Sequence, residues 1–347
     1  MSENRLVSVI VLNYNAGELL LNCIESIKKS GYKNLEIIVV DNISTDKSQK
    51  ACKEKYPDIK LIQNDENFGY CEGNNIGIRE AGGDYIIILN PDTIVESNWI
   101  EELISAYSKF GEGLYQPKHL SLSEKTVYMS AGNMLNIFGF GYAREKGKKD
   151  KNQFSEIEEI GYASGTCLFT SSSVLKKVGL FDPLIFLYHD DLDLGWRASH
   201  LGIKSYYVPT AIIYHAESYS LRWSAEKFYW LERNRKYCLL THYSKQTYSK
   251  IFPTLLLVDF CVWMFYLTKG FLGSKIRAEL NIIKNRKKIQ KRYEELESKK
   301  IISDKELIIK FPDSLYVPSN VSGKNINSIF NSLIERLSKT AKKSLAN

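Results

Sequence analysis

The chain has 347 residues, 44% of them hydrophobic, which suits one large domain or two around a sizeable buried core. Its six cysteines are scattered with no Cys-x-x-Cys pair, which argues against a zinc site or a disulfide framework and for buried thiols in a reducing compartment. The net charge is +7 and the excess is local: eleven Lys or Arg face four Glu between Lys269 and Lys300, a bias toward an anionic surface, lipid or nucleic acid, or else a solvated helix face.

Met1 to Arg5 run straight into an apolar stretch with no charged leader and signal-length core, so a cytosolic protein, or one bound to the cytosolic face of a membrane, is expected. Leu6 to Leu12 is a β-branched run ending at Asn13-Tyr14-Asn15. Glu18 to Lys29 has apolar residues at helical spacing, with Gly31 as a stop. A second strand spans Leu35 to Val40 and ends at Asp41-Asn42. Asp46 to Tyr56 reads as a helix, Ile59 to Gln63 as a strand, Asn74 to Ala81 as a helix, and Tyr85 to Leu89 as a fourth strand. Strands alternating with helices imply an α/β fold with a mostly parallel, doubly wound sheet, whose ligands bind beyond the carboxyl ends of the strands. Those ends carry Asn13, Asp41 and Asn90-Pro91-Asp92, a polar and acidic rim. No Gly-x-Gly-x-x-Gly follows the first strand and no Gly-Lys-Ser/Thr loop occurs, so a dinucleotide-binding enzyme or a phosphate-loop enzyme is not expected. A divalent cation on carboxylates would hold a phosphate here instead.

Tyr115 to Ser155 reads as a glycine-containing, charged surface loop over the cleft, where a second substrate would touch it. Tyr162 to Phe169 carries Ser164-Gly165-Thr166 and a strand, and Val174 to Val178 is a short helix closed by Gly179. Asp190-Asp191-Leu192-Asp193 then puts three carboxylates within four residues among apolar neighbours. Repulsion and desolvation in a partly dry cleft would raise at least one pKa, which suits proton transfer near neutral pH. The same run would also open a helix, with Asp193 paired to Arg197 at i+4. Tyr206 to Tyr214 is a strand ending at His215.

Pro253 precedes Thr254 to Leu267, a helix apolar nearly all round, shorter than the roughly twenty residues a bilayer needs. Asp259 in its middle would cost about 2.5–3.5 kcal/mol on insertion scales. Trp263 and Tyr266 suit an interface, and the basic run follows, so the helix is expected to lie in the cytosolic leaflet or to pack on protein. Lys284 to Lys300 reads as one long charged helix, and the tail from Lys339 as frayed.

Several motifs in order resemble the family-2 glycosyltransferases of the GT-A fold, in their rhamnosyltransferase-like branch. They are Val9-Ile10-Val11-Leu12-Asn13-Tyr14-Asn15, Val39-Val40-Asp41-Asn42, Glu66-Asn67-Phe68-Gly69-Tyr70 with Gly73-Asn74-Asn75, and Leu89-Asn90-Pro91-Asp92. The likeness covers about the first 245 residues, so 1–245 is expected to be the GT-A catalytic domain and 246–347 a helical, membrane-associated region. By this resemblance Asp41 would accept from the imide N–H of a uracil or thymine, with Asn13 and Asn42 along the nucleoside. The Asn67 to Asn75 segment, with Asn67, Gly69 and Asn74 as its binding residues, would wrap the ribose and diphosphate. Asp92 would hold a metal, Mn²⁺ or Mg²⁺, completed by His215, while Asn90 stands where the family has its first acid. Asp191 would be the catalytic base, and Asp190 would orient the acceptor or raise its neighbour's pKa. Arg233-Asn234-Arg235 would meet a lipid-linked phosphate or pair with acids.

The implied activity is an inverting, metal-dependent transfer from a UDP- or dTDP-sugar to a glycan or lipid-linked acceptor, in cell-surface polysaccharide or glycoconjugate synthesis. The alternative is a non-catalytic nucleotide-sugar-binding protein of the same fold. A nucleic-acid binder is disfavoured because aromatics are not interleaved with the basic run.

Overall fold

The computed structural model describes residues 5–216, 224–315 and 324–346, so Met1 to Asn4 lie outside it. The predicted apolar runs become the centre of a ten-stranded sheet. β1 (Val7–Asn13) lies parallel between β2 (Leu35–Asp41) and β4 (Tyr85–Leu89), and β3 (Lys60–Gln63) extends β2. β11 (Cys167–Ser171) enters antiparallel beside β4, followed by β6 (Gly113–Ser121), β12 (Lys204–His215) and β10 (Glu158–Ile160). Short β5 (Thr93–Val95) pairs with β12, and β7 (Tyr128–Ser130) with β6.

Both faces of the central strands are covered, which is why they read as unbroken apolar runs. Val7, Val9 and Val11 join one buried layer with Leu20 and Ile24 of α1 (Glu18–Lys28) and Trp99 and Leu103 of α4 (Trp99–Phe110). Ile10 and Leu12 point the other way, toward α3 (Gly69–Arg79). There Gly73 and Gly77 present no side chain. A Cβ on either would sit 2.5 Å from Leu12 or Ile10, so α3 lies closer to β1 than any larger residue permits. α2 (Ser48–Lys55) and α5 (Ser172–Val178) are short, and Ser171 caps α5 by accepting from the Val174 N–H.

Two elements correct the expectations for this part. The helix expected from Asn74 begins at Gly69, because the carbonyl of Phe186 accepts from the Tyr70 and Cys71 N–H groups and Gly69 takes a positive φ of 74°. The segment from Tyr115 is not a surface loop: β6 is buried over most of its length, and Tyr128 and Ala131 are fully buried. Pro117 and the polar Gln116, Lys118 and His119 disguised a strand. Lys118 is buried with Asp150 at 2.8 Å, and β12 bulges between Val208 and Ile212 beside Pro117, where a ladder hydrogen bond is lost anyway.

The described residues fall into two compact units. The first, comprising 5–133, 143–198 and 203–216, holds the sheet. The second takes in 134–142, 199–202 and the residues from 224 onward. It contains α7 (Ala225–His242), α8 (Lys245–Thr268), α9 (Leu272–Lys284), α10 (Arg286–Glu297), α11 (Asp304–Lys310) and α12 (Lys324–Ala346), together with most of the hairpin β8 (Asn133–Leu135) and β9 (Gly141–Ala143). A buried charge network organises it. Glu232 accepts from Arg235 and Lys275, and Asp259 pairs with Arg235, Lys236 and Lys275. Burial pushes the Glu232 carboxyl up, but Arg235 and Lys275 pull it further down, to about 2. Arg235 therefore takes the acid-pairing role rather than meeting a lipid phosphate.

Three further expectations change here. α8 runs 24 residues through Pro253, which lies exposed within the helix. The charged helix expected from Lys284 to Lys300 is present but shorter, Arg286–Glu297, and Asn285 separates it from α9. The tail from Lys339 is not frayed: it belongs to α12, and Ala341 and Leu345 are buried.

His200 is buried beside His242, with ring centroids 6.0 Å apart, and its Nδ1 lies 3.1 Å from the Ile302 carbonyl. Burial, then His242 and Lys300, push its pKa well below the ordinary 6.5. A depressed histidine pKa means the unfolded chain binds the proton first. The unfolding free energy is thus expected to fall as pH drops below about 6.5, by on the order of 1 kcal/mol per pH unit, and His200→Gln should flatten that slope in urea titrations.

Candidate active site

The loops after β1 and β2 are stitched together. Asn13 Nδ2 donates to Asp41 Oδ1 at 2.7 Å and to Ser48 Oγ at 2.9 Å, and Asp41 Oδ2 accepts from the Ser44 N–H at 3.0 Å. Asn15, at φ 54°, accepts from the Thr45 N–H, and the Gly17 N–H donates to Asp46. Asp41 thus makes the local turn its sequence suggests, while each carboxylate oxygen keeps a second lone pair. Asn13, Asp41 and Asn42 are all almost fully buried, so this is a rigid polar wall at the strand ends.

Asn42 carries the wall onward. Its Nδ2 donates to Asn67 Oδ1 at 3.2 Å and to the Gly69 carbonyl at 3.0 Å, and Asn67 Oδ1 also accepts from the Gly69 N–H. Asn74 donates to the Tyr70 carbonyl, and its buried Oδ1 has no partner among the described residues. Asn75, at the end of the segment expected to wrap the donor, has a clear structural task. It donates to the Phe181 carbonyl at 2.9 Å and accepts from the Phe181 N–H at 3.0 Å, pinning the chain that leads to the acidic pair.

Asp92 and His215 meet because β5 pairs with β12, with Thr93 opposite His215. His215 Nε2 lies 3.1 Å from Asp92 Oδ2. Asp92 Oδ1 is buried with no partner among the described residues, as is Nε2 of His119 on β6. His119 stands opposite Ile213, two residues before His215, and burial and the nearby His215 push its pKa down to about 3. It stays a neutral imidazole. Sequence reading missed it because β6 itself was unrecognised. The carboxylate of Asp92 with the imidazole of His215 at 3.1 Å is a pair of donors of the kind that Mn²⁺ or, with more water, Mg²⁺ accepts.

Asp190 and Asp191 open α6 (Asp190–His200) after Phe186, Tyr188 and His189, all at φ near +60°. Such a run of left-handed non-glycine residues is strained backbone held by its surroundings. Asp191 Oδ2 accepts from the Gly165 N–H at 2.9 Å and Oδ1 from the Leu192 N–H at 2.8 Å. The Tyr70 hydroxyl donates to the Gly165 carbonyl at 2.5 Å, so Tyr70 sets the turn that sets Asp191. Burial and the charge of Asp191 push the Asp190 carboxyl well above the usual range; burial raises Asp191 too, against those two N–H donors. Of the pair, Asp191 is the better ionised and less buried. The predicted ion pair of Asp193 with Arg197 is present at 2.9 Å, fully buried. The Asn90 N–H donates to the Thr166 carbonyl at 2.9 Å, joining the Asp92 turn to the Asp191 turn.

The architecture matches solved glycosyltransferases. A crystal structure of GalNAc-T7 with UDP, GalNAc and Mn²⁺ superposes with a TM-score of 0.58 at 17% identity, covering 72% of this chain and 51% of that one, about half its length. S. aureus TarS superposes with a TM-score of 0.50 at 17% identity, covering 72% and 42%. The fold is GT-A. Residues 8–179 match the family described as Glycosyl transferase family 2, and the chain belongs to that family. It is 27% identical over 235 residues to an N-acetylglucosaminyl-diphospho-decaprenol L-rhamnosyltransferase of Mycobacterium tuberculosis, spanning 61% of this chain and 76% of that protein. It is also 27% identical over 212 residues to the low-salt glycan biosynthesis hexosyltransferase Agl10 of Haloferax volcanii, spanning 57% and 63%. A Streptococcus pneumoniae glycosyltransferase, GlyG, is 41% identical over 106 residues, or 30% and 35% of the two chains.

Proposed function

We propose that the chain is an inverting, divalent-metal-dependent transferase that moves a hexosyl or rhamnosyl group from a UDP- or dTDP-sugar to a glycan or lipid-linked acceptor. The work would serve cell-surface polysaccharide or glycoconjugate synthesis at the cytosolic face of a membrane. The observation that carries the reading is the Asp190–Asp191 pair: a buried acid pushed up by burial and by its neighbour, beside a carboxylate held by two backbone N–H groups. The decaprenol in the mycobacterial relative's name supports a lipid-linked acceptor, and the UDP and Mn²⁺ of GalNAc-T7 support the donor and ion classes.

In this reading Asp41 faces the base, Asn13 and Asn42 lie along the nucleoside, and Asn67, Gly69 and Asn74 line the ribose and diphosphate. Asp191 takes the acceptor hydroxyl's proton as its oxygen attacks the anomeric carbon. Asp190, its carboxyl pushed up by burial and by Asp191, orients that hydroxyl. Asp92 and His215 would hold the cation, which when bound supplies positive charge to the departing diphosphate. No second carboxylate has a nucleophile's role, so one displacement inverts the anomeric centre. Residues 1–245 are proposed as the catalytic domain and 246–347 as the membrane-associated region.

A thermal-shift screen of nucleotide sugars with Mn²⁺ present tests this. One UDP- or dTDP-sugar is expected to raise the melting temperature and to be turned over on an acceptor. Binding without turnover would favour the non-catalytic reading, and no shift with any nucleotide sugar would overturn both.

A further inference from the structure

α8 has 24 residues, and its most apolar 18-residue stretch has a mean hydropathy of 1.8, long and apolar enough to cross a bilayer by length and composition. Its packing speaks against crossing. Ile251, Leu255, Val258, Val262 and Tyr266 are buried within the helical unit. Tyr266 donates its hydroxyl to the Phe228 carbonyl and so is no interfacial anchor, against the sequence expectation. Asp259 lies on the same inner side, paired with Arg235, Lys236 and Lys275. Crossing would break all of these contacts.

The opposite face is different. Phe252, Leu256, Phe260, Met264 and Leu267 form a stripe at intervals of four, four, four and three residues, 42–64% exposed. It is about 22 Å long at 1.5 Å per residue, and no exposed residue from 251 to 268 is charged. α9 repeats the pattern with Ile276, Leu280 and Ile283, all exposed. Single exposed apolar residues are ordinary, but two parallel-patterned stripes in one unit mark an interaction surface.

Charge identifies the occupant. Each stripe ends on cations: Lys269 just after Leu267, and Lys284, Arg286, Lys287, Lys288 and Lys291 after Ile283, all exposed. Among the described residues none of these six has a recorded ion pair. The other five cations of the basic run do: Lys275, Arg277, Arg292, Lys299 and Lys300. The pairing therefore sorts the run into structural charges and available ones. A two-fold self-contact would set like cations around the seam of an isologous patch, which disfavours a dimer.

We propose that the outer stripes of α8 and α9 lie in the interfacial layer of an anionic bilayer, with Lys284, Arg286, Lys287 and Lys288 on its headgroups. This rests on the membrane part of the function proposed above and assigns the surface. Helices that lie in the interface present this pairing of an apolar face with flanking Lys and Arg.

The test uses the full chain and two vesicle types, phosphatidylcholine alone and phosphatidylcholine mixed with phosphatidylglycerol. The wild type should co-sediment with the anionic vesicles, and salt should weaken it. Each available cation is worth roughly fivefold in partitioning, so the quadruple Lys284→Gln, Arg286→Gln, Lys287→Gln, Lys288→Gln variant should bind about two to three orders of magnitude more weakly. Leu256→Gln with Phe260→Gln, at exposed positions, should weaken binding to anionic vesicles while leaving the melting temperature unchanged. Equal sedimentation of the stripe variant and the wild type would overturn the proposal. So would a wild type that ignores vesicles but forms dimers the stripe variant abolishes. Nucleotide-sugar binding, followed by thermal shift in the same samples, separates loss of this surface from loss of the catalytic reading.

Discussion

Asp191→Asn is expected to lower sugar transfer by ~10²–10⁴-fold, the usual worth of a positioned general base, while donor binding stays near wild type. The substitution keeps volume and one acceptor oxygen. It places an amide NH₂ against one of the two backbone donors, Gly165 N–H or Leu192 N–H, that now face carboxylate oxygens. A small loss of stability is therefore expected, and the melting temperature must be read beside the rate. The pH profile carries the sharper information. A base acts only when ionised, so transfer should rise with pH along an acidic limb set by Asp191. Burial raises that group above its ordinary 3.8, and the limb should lie correspondingly higher. Burial rather than Asp190 sets that rise, so Asp190→Asn should leave the limb near its wild-type position while retaining much of the transfer. If instead Asp191→Asn turns over like wild type and Asp190→Asn does not, the base is Asp190, and the paired N–H donors merely anchor the turn.

Much of this arrangement was legible because local and tertiary signals agree. β1, β2 and β4 are buried on both faces, so their composition announces them, and the polar residues that end them fall where the ligands of parallel sheets bind. The Asp193–Arg197 pair follows from helical spacing alone. The failures have identifiable causes. β6 contains Pro117, Lys118 and His119, residues a central strand normally excludes. It is a strand because Asp150 neutralises the lysine and a bulge in β12 accommodates the proline. Without β6, His119 could not be placed next to His215. α3 starts early because Phe186, over a hundred residues away, supplies the carbonyl that its first N–H groups need. Asp259 looked like an expense within an apolar helix. Its partners Arg235, Lys236 and Lys275 come from two other helices, which no local pattern discloses.

Chelation should abolish transfer, and Mn²⁺ or Mg²⁺ should restore it. The reasoning begins at the turn after β4, where Asn90 stands in place of an acid and Asp92 is the one carboxylate. With a single negative charge and one imidazole, the site should hold its ion modestly, so EDTA at ordinary concentrations should strip it. Asp92 Oδ1 is buried with no partner among the described residues, a costly state for a carboxylate oxygen unless something positive or donating completes it. Asp92→Ala and His215→Ala should therefore each weaken donor binding when metal is present and leave it unchanged in EDTA. Their turnover should fall by roughly 10²–10³-fold, the equivalent of several kcal/mol of lost charge stabilisation. Asp92→Asn distinguishes the two parts of this role. It retains a hydrogen-bonding oxygen and loses the charge, so it should behave like Asp92→Ala if the residue serves a cation, and like wild type if it only fixes the ring of His215. Isothermal titration of the donor with and without Mn²⁺ reads this directly, independent of acceptor. Full transfer in excess EDTA would remove the metal from the mechanism and leave Asp92 and His215 as a structural pair between β5 and β12.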